Sequence, residues 1–401
     1  MPSFVWKGIN KFGDAVNGER QAANAEELTR LLQREQIKVD SVSPARGGFH
    51  IPFLKGEKVK QKDLALFARQ MSVLIDAELP LIQGLNIMAE QTRNAYFKKV
   101  INQVRADVEA GSSLDQALRK FPKVFNDLFC NLIASGESSG TLDTMLTRLA
   151  DYIENSVKLK AKVKQAMTYP VAIFSFSIIV AIFMLWKVIP AFASIFSDMG
   201  AKLPGMTVFV MKLSDFVQKY ILFMALGIVA AIFLFRYYRK TQGGRWTTDS
   251  LILRVPLFGP LQSKVSISRI TRTLSTLLAG GVSMLEAIKI TGSTAGNVVI
   301  EKSVMDVRKQ VTEGRSLTDS FKSTGRFPFM MIQMVSVGEA TGTLDRMLSK
   351  LADFYDDEVG NTVGTLLSIL EPFIMVFVGG IVGSLLISMY LPIFSLTAQI
   401  Q

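Results

Sequence analysis

Uncharged apolar residues collect in three long runs, 171–186, 221–235 and 373–395, while most of the remaining chain mixes apolar and polar positions at helical spacing. The first and third runs are framed alike. Tyr169-Pro170 leads to Val188-Ile189-Pro190, and Glu371-Pro372 leads to Tyr390-Leu391-Pro392, with 20 residues between the prolines of each pair. At about 1.5 Å per residue, that length covers about 30 Å, the hydrocarbon thickness of a bilayer, so the runs predict three membrane-spanning helices. Ahead of the first run, Leu64, Phe67, Met71, Leu74 and Ile75 share one helical face, as do Leu142, Met145, Leu146 and Leu149. Breaks are predicted at Leu79-Pro80, around Asn94, at Gly111, at Phe121-Pro122 and at Gly136 to Gly140. Residues 4–42 read differently. Two short strands around a turn at Gly13-Asp14 precede a helix with a capping box at Asn24 and Glu27 and a stripe of Leu28, Leu31 and Leu32. A third strand is expected over Ile37, Val39 and Val42.

The helical pattern occurs twice. Arg69, Ser72, Leu74, Asn94, Lys99, Val104, Arg105, Gly111, Ser113 and Leu114 recur 203 residues on as Arg272, Ser275, Leu277, Asn297, Lys302, Val307, Arg308, Gly314, Ser316 and Leu317. Past one lost residue the interval is 202. There Gly136-Glu137-Ser138-Ser139-Gly140-Thr141-Leu142-Asp143 faces Gly338-Glu339-Ala340-Thr341-Gly342-Thr343-Leu344-Asp345, and Leu149-Ala150-Asp151 faces Leu351-Ala352-Asp353. Spacing kept over about 125 residues marks a duplication of one supersecondary unit. The pattern predicts an all-α integral membrane protein: two duplicated helical-bundle domains with three transmembrane helices, plus a small mixed α/β N-terminal cap. Expected boundaries are the cap at 1–45, a linker at 46–60, domain 1 at 61–168, a first span at 169–192, a connection at 193–219, a second span at 220–238, domain 2 at 239–368, a third span at 369–395 and a tail at 396–401.

Charge orients this arrangement. Two copies of one fold that each end in a span should enter the membrane from the same side, which needs one crossing between them. Lys158, Lys160, Lys162 and Lys164 precede the first span, and Arg236, Arg239, Lys240 and Arg245 follow the second. By the positive-inside rule both helical domains are cytoplasmic, while the connection and the C-terminus face outward. This distribution accounts for most of the net charge of +11 without invoking nucleic acid. No apolar run lies in the first 20 residues, so insertion is expected to depend on the internal spans.

Candidate chemistry is sparse. The single cysteine, Cys130, excludes an intrachain disulfide, and the single histidine, His50, lies in the linker and offers no partner for acid–base or metal chemistry. No stretch matches the phosphate-cradling G-x-x-x-x-G-K-[ST] pattern. Neither a catalytic set nor a cofactor site is expected. Asp151 and Glu154 could hold a metal as an i,i+3 carboxylate pair, although a solvated helix face is the better reading. The cores of the spans contain no ionisable side chain, which counts against a transporter built from parallel repeats, the main alternative. Gly379 and Gly383, with Gly380 and Ser384, form small-xxx-small registers suited to close helix packing. Gly136 and Gly140, like Gly338 and Gly342, suit a tight turn between helices. Glu137 and Glu339 are candidates for capping or for an interdomain or partner contact.

The run Lys162-Val163-Lys164-Gln165-Ala166-Met167-Thr168-Tyr169-Pro170, closed at Val188-Ile189-Pro190, resembles the signature of the type II secretion F family. The duplicated Gly-Glu-x-x-Gly-x-Leu segments and the small N-terminal cap are similar to that family as well. The resemblance implies a non-enzymatic, multi-pass platform of the bacterial inner membrane that forms homo-oligomers among membrane lipids and other components of its machine. Implied partners are a hexameric assembly ATPase on the cytoplasmic side and pilin or pseudopilin subunits in the membrane. Glu137 and Glu339 would then serve interdomain or partner contacts, and Pro170, Pro190, Pro372 and Pro392 would fix bends or ends of the membrane helices.

Overall fold

A computed structural model describes residues 3–9, 15–21, 24–34, 38–44, 58–198 and 204–397. The chain forms two compact units, 1–57 and 58–401. In the first, strands β1 (Ser3–Ile9), β2 (Ala15–Gln21) and β3 (Lys38–Pro44) make an antiparallel sheet in the order β2-β1-β3. Helix α1 (Ala25–Arg34) starts where the Asn24 side chain accepts the Glu27 amide at 2.8 Å. It buries Leu28 and Leu32 with Trp6 and Val39 packed beside them. The expected turn at Gly13-Asp14, Ile37 and the linker carrying His50 lie outside the described residues, as do the last four residues of the chain.

In the second unit, α2 (Gln61–Asp76), α3 (Leu81–Gln91), α4 (Ala95–Glu109), α5 (Leu114–Arg119) and α6 (Asp127–Ser139) lead into α7 (Leu142–Phe183). A π-helical turn at Met184–Val188, then α8 (Ile189–Asp198), α9 (Gly205–Tyr238) and α10 (Gln242–Arg254) connect this copy to the next. The second copy runs through α11 (Phe258–Ala279), α12 (Met284–Thr294), α13 (Val298–Thr312), α14 (Leu317–Ser323), α15 (Phe329–Thr341) and α16 (Leu344–Thr397). The same residues punctuate both copies. Asn94 accepts two amides at the start of α4, and Asn297 does so for α13. Gly140 and Gly342 close α6 and α15 in the left-handed conformation, at φ 70° and 68°. Phe67, Phe97, Phe125 and Phe129 form the aromatic centre of the first bundle, with neighbouring centroids 4.9–6.3 Å apart.

Two expectations are corrected. The proline-framed spans are not separate helices, because α7 passes through Pro170 and α16 passes through Pro372 and Pro392. Domain and span therefore share one helix of 42 residues in the first copy and 54 in the second. The connection is itself mostly helix: α8 reaches Asp198 and α9 begins at Gly205. The second correction concerns Gly136 and Gly338, which lie inside α6 and α15, one turn before the end, and do not form the interhelical turn. A Cβ on Gly136 would stand 3.0 Å from the Leu142 Cα, and one on Gly338 would stand 2.8 Å from the Leu344 Cα. These glycines let the following helix pass close by.

At Pro190 and Pro392 another group takes up the carbonyl that the proline leaves free. In a π turn the Leu185 carbonyl would be bonded by residue 190, and Pro190 has no N–H. The Ser214 hydroxyl donates to it instead. Pro392 likewise leaves the Ser388 carbonyl without its i+4 donor, and the Thr207 hydroxyl donates there at 2.9 Å. Thr207 and Ser214, both buried, lie two turns apart on α9, within the stretch expected to connect the first two spans.

Candidate functional site

Arginine closes each bundle onto the helix that enters the membrane. Arg69 on α2 donates to Asp151 at 2.5 Å and to Glu154 at 2.9 Å, both on α7. Its counterpart Arg272 on α11 meets Asp353 at 2.8 Å and Asp356 at 2.6 Å on α16, and Ser268 also donates to Asp356. The carboxylate pair considered for metal binding is thus engaged by a cation of the chain itself. The hydrogen bond from Arg69 outweighs burial and holds the Glu154 carboxyl below the usual range. Arg69 and Arg272 were visible as repeated letters, but their role was missed, because a repeat reveals retention without revealing contact.

The paired glutamates bond within their own domains. Glu137 accepts the Leu114 amide at 2.7 Å and the Asp115 amide at 2.9 Å, binding the free N–H groups that open α5. Glu339 accepts the Leu317 amide at 2.8 Å, the Thr318 amide at 3.0 Å and the Thr318 hydroxyl at 2.6 Å at the start of α14. Burial pushes the Glu339 carboxyl up, and these donors outweigh it, leaving the group below its ordinary range. The carboxylates tie elements within each domain.

Other residues join the domains. Ser135 on α6 donates to the Gly280 carbonyl at 2.5 Å, and Tyr152 on α7 meets Thr273 on α11 at 3.2 Å. A Cβ at Gly280 would stand 2.6 Å from a Leu132 methyl, so a larger residue there would force that side chain to shift. Nearer the membrane Leu159, Leu261, Val359, Val363 and Leu366 form a shared seam of α7, α11 and α16. Beside the seam lies a cavity of about 380 Å³, lined by Val163, Met167 and Val265 and by Lys160 and Lys164. Within the spans Phe174 stacks on Phe377 at 4.9 Å, next to the buried Pro170. Among the described residues nothing lies within 4 Å of a Cβ built on Gly379, Gly380 or Gly383. The intramolecular contacts of that part of α16 are made by Leu385 and Ser388 instead.

Stretches 142–192, 205–238 and 344–391 are long and apolar enough to cross a membrane. The geometry defines a multi-pass membrane scaffold in which two copies of a helical bundle are each continuous with a membrane helix. Residues 67–190 and 270–392 match the family described as "Type II secretion system (T2SS), protein F", and residues 1–43 match its N-terminal domain. The chain belongs to that family. It is 43% identical to a "Type IV pilus assembly protein PilC" of Myxococcus xanthus, covering 99% of this chain and 96% of the relative. A protein of the same description from Thermus thermophilus is 40% identical over the full length of both chains. A "Type II secretion system protein F" of Vibrio cholerae is 31% identical across 98% of each.

Proposed function

We infer that this chain is the inner-membrane platform of a type IV pilus machine, with its two helical domains in the cytoplasm. There they meet an assembly ATPase, and the membrane helices receive pilin subunits. The observation that carries this reading is the continuity of α7 and α16 from bundle to bilayer. A helix without a joint transmits a push or rotation of its domain to its span. Lysines 158–164 and the basic group at 236–245 support the cytoplasmic placement. The two relatives named for pilus assembly are more similar than the one named for secretion, which favours the pilus over the related secretion machine. Beyond Val217 the span of α9 has no buried residue, and the glycine face of α16 is open, leaving surfaces for a pilin helix or for lipid. The small N-terminal unit is assigned to docking, since so few residues bury little surface alone.

A flexible Gly-Ser spacer inserted after Gln165 tests the coupling. We expect the variant to reach the membrane and to co-purify with the ATPase, yet to abolish fibre assembly. Normal piliation with the spacer in place would overturn the coupling role.

A further inference from the structure

The contact between the two domains is one-sided, and its mirror is left unmade. Domain 1 offers a face of α6 and α7 (Leu132, Ser135, Met145, Tyr152) to the corner after α11 (Thr273, Gly280, Gly281). The duplication supplies both partners again. The counterpart face in domain 2 is Met334, Val337, Met347 and Phe354, and the counterpart corner in domain 1 is Gln70, Ala77 and Glu78. Yet Ala77, Glu78, Val337 and Phe354 are exposed, the last two at 48% and 41%. Beside the corner, Leu66 and Val73 on α2 are 57% and 59% exposed.

The corner is kept in shape. Gly281 has φ 74°, and Glu78 is held at φ 59°, a left-handed conformation that non-glycine residues rarely adopt. Leu79 N–H closes the corner on the Leu74 carbonyl at 3.0 Å, as Val282 does on Leu277 at 3.0 Å. The charges are where a second interface needs them. Glu78 and Asp76 stand exposed at the corner, and Arg346 and Lys350 stand exposed beside Met347, with no ion pair recorded for any of the four among the described residues. The made interface has Ala279, Gly281 and Thr144 at the positions of Asp76, Glu78 and Arg346.

We propose that the α15–α16 face of one copy docks on the α2–α3 corner of a second copy, repeating between chains the contact that joins the domains within a chain. Such a contact is head-to-tail, and copies sharing one membrane orientation would close into a ring or extend as a line. The Ser135 hydrogen bond is replaced by Val337 against Ala77, and the flexible Met334 replaces Leu132 where a Cβ is now present.

The test uses the full chain in membranes, with two differently tagged copies co-expressed. One carries Ala77→Cys, the other Val337→Cys, and a short bis-maleimide is added; the native Cys130 is buried. We expect a cross-linked pair only when both variants are present, and a ladder when one chain carries both substitutions. Glu78→Arg or Arg346→Glu should each lower the yield about fivefold, and the two reversals in both copies should restore it. Self-linking of Val337→Cys alone would show a two-fold contact and overturn the proposal. Absence of any cross-link between copies, with the face covered by another protein or by nothing, would overturn it too.

Discussion

The two helical domains carry the same internal devices and different outer surfaces. Asparagine caps, left-handed glycines, glutamates that cap a short helix and an arginine reaching two carboxylates recur in both copies. What differs is the exterior and the helix at the centre. α2 buries one polar side chain, Ser72, whereas α11 buries Ser266, Ser268, Thr271, Thr273 and Ser275. Helix α11 is enclosed by its own bundle and by α7 of the other copy, and its short hydroxyls find partners in that space, Thr271 on the Ile267 carbonyl, Ser268 on Asp356 and Thr273 on Tyr152. Helix α2 has no such neighbour and keeps Leu66 and Val73 in the open. After duplication the shared positions hold the fold, and the diverged positions decide what each copy touches.

The arginine clasps give the largest expected difference. The Arg272 side chain is 14% exposed against 35% for Arg69, and Ser268 depends on the same carboxylate. Arg272→Ala leaves Asp356 half-buried without its cation and should destabilise the detergent-solubilised protein by about 2–3 kcal/mol, whereas Arg69→Ala should cost about 1 kcal/mol. Equal shifts in thermal midpoint would break the distinction.

Close helix passage comes next. Gly338→Ala drives a methyl into backbone at 2.8 Å, while Gly136→Ala meets a backbone atom and a flexible methionine at 3.0 Å. Losses of about 2 and about 1 kcal/mol are expected, read by thermal melting. By contrast Gly140→Ala and Gly342→Ala meet no atom within 4 Å and should cost only the left-handed backbone, about 1 kcal/mol each.

Much of this architecture is legible in the sequence, and the failures share a cause. The duplication, the three spans and the caps follow from spacing and residue type, which are local properties. The prolines are expected to mark bends or ends because a missing N–H usually interrupts a helix; at Pro190 and Pro392, Ser214 and Thr207, distant in the chain, supply the donors. Asp151 and Glu154 were read apart from Arg69, 82 and 85 residues away. The domain contact escaped notice for the opposite reason: Ser135, Gly280 and Tyr152 differ between the copies, and a search for repeats passes over what does not repeat.

The smallest effect separates the glutamate caps. Glu339 takes three donors and Glu137 two, so Glu339→Gln should cost slightly more than Glu137→Gln, each about 1 kcal/mol. The Glu339 carboxyl lies below its ordinary value of 4.5 in the folded state. A group depressed in this way binds protons more readily when unfolded, so its stabilisation is complete above that value and fades as pH falls through the lower, folded one. The wild-type midpoint should therefore drop on acidification below about pH 4.5, and Glu339→Gln, with nothing to titrate there, should show a shallower slope. If both proteins lose stability in parallel over that range, the carboxylate is not acting as the anionic cap of α14.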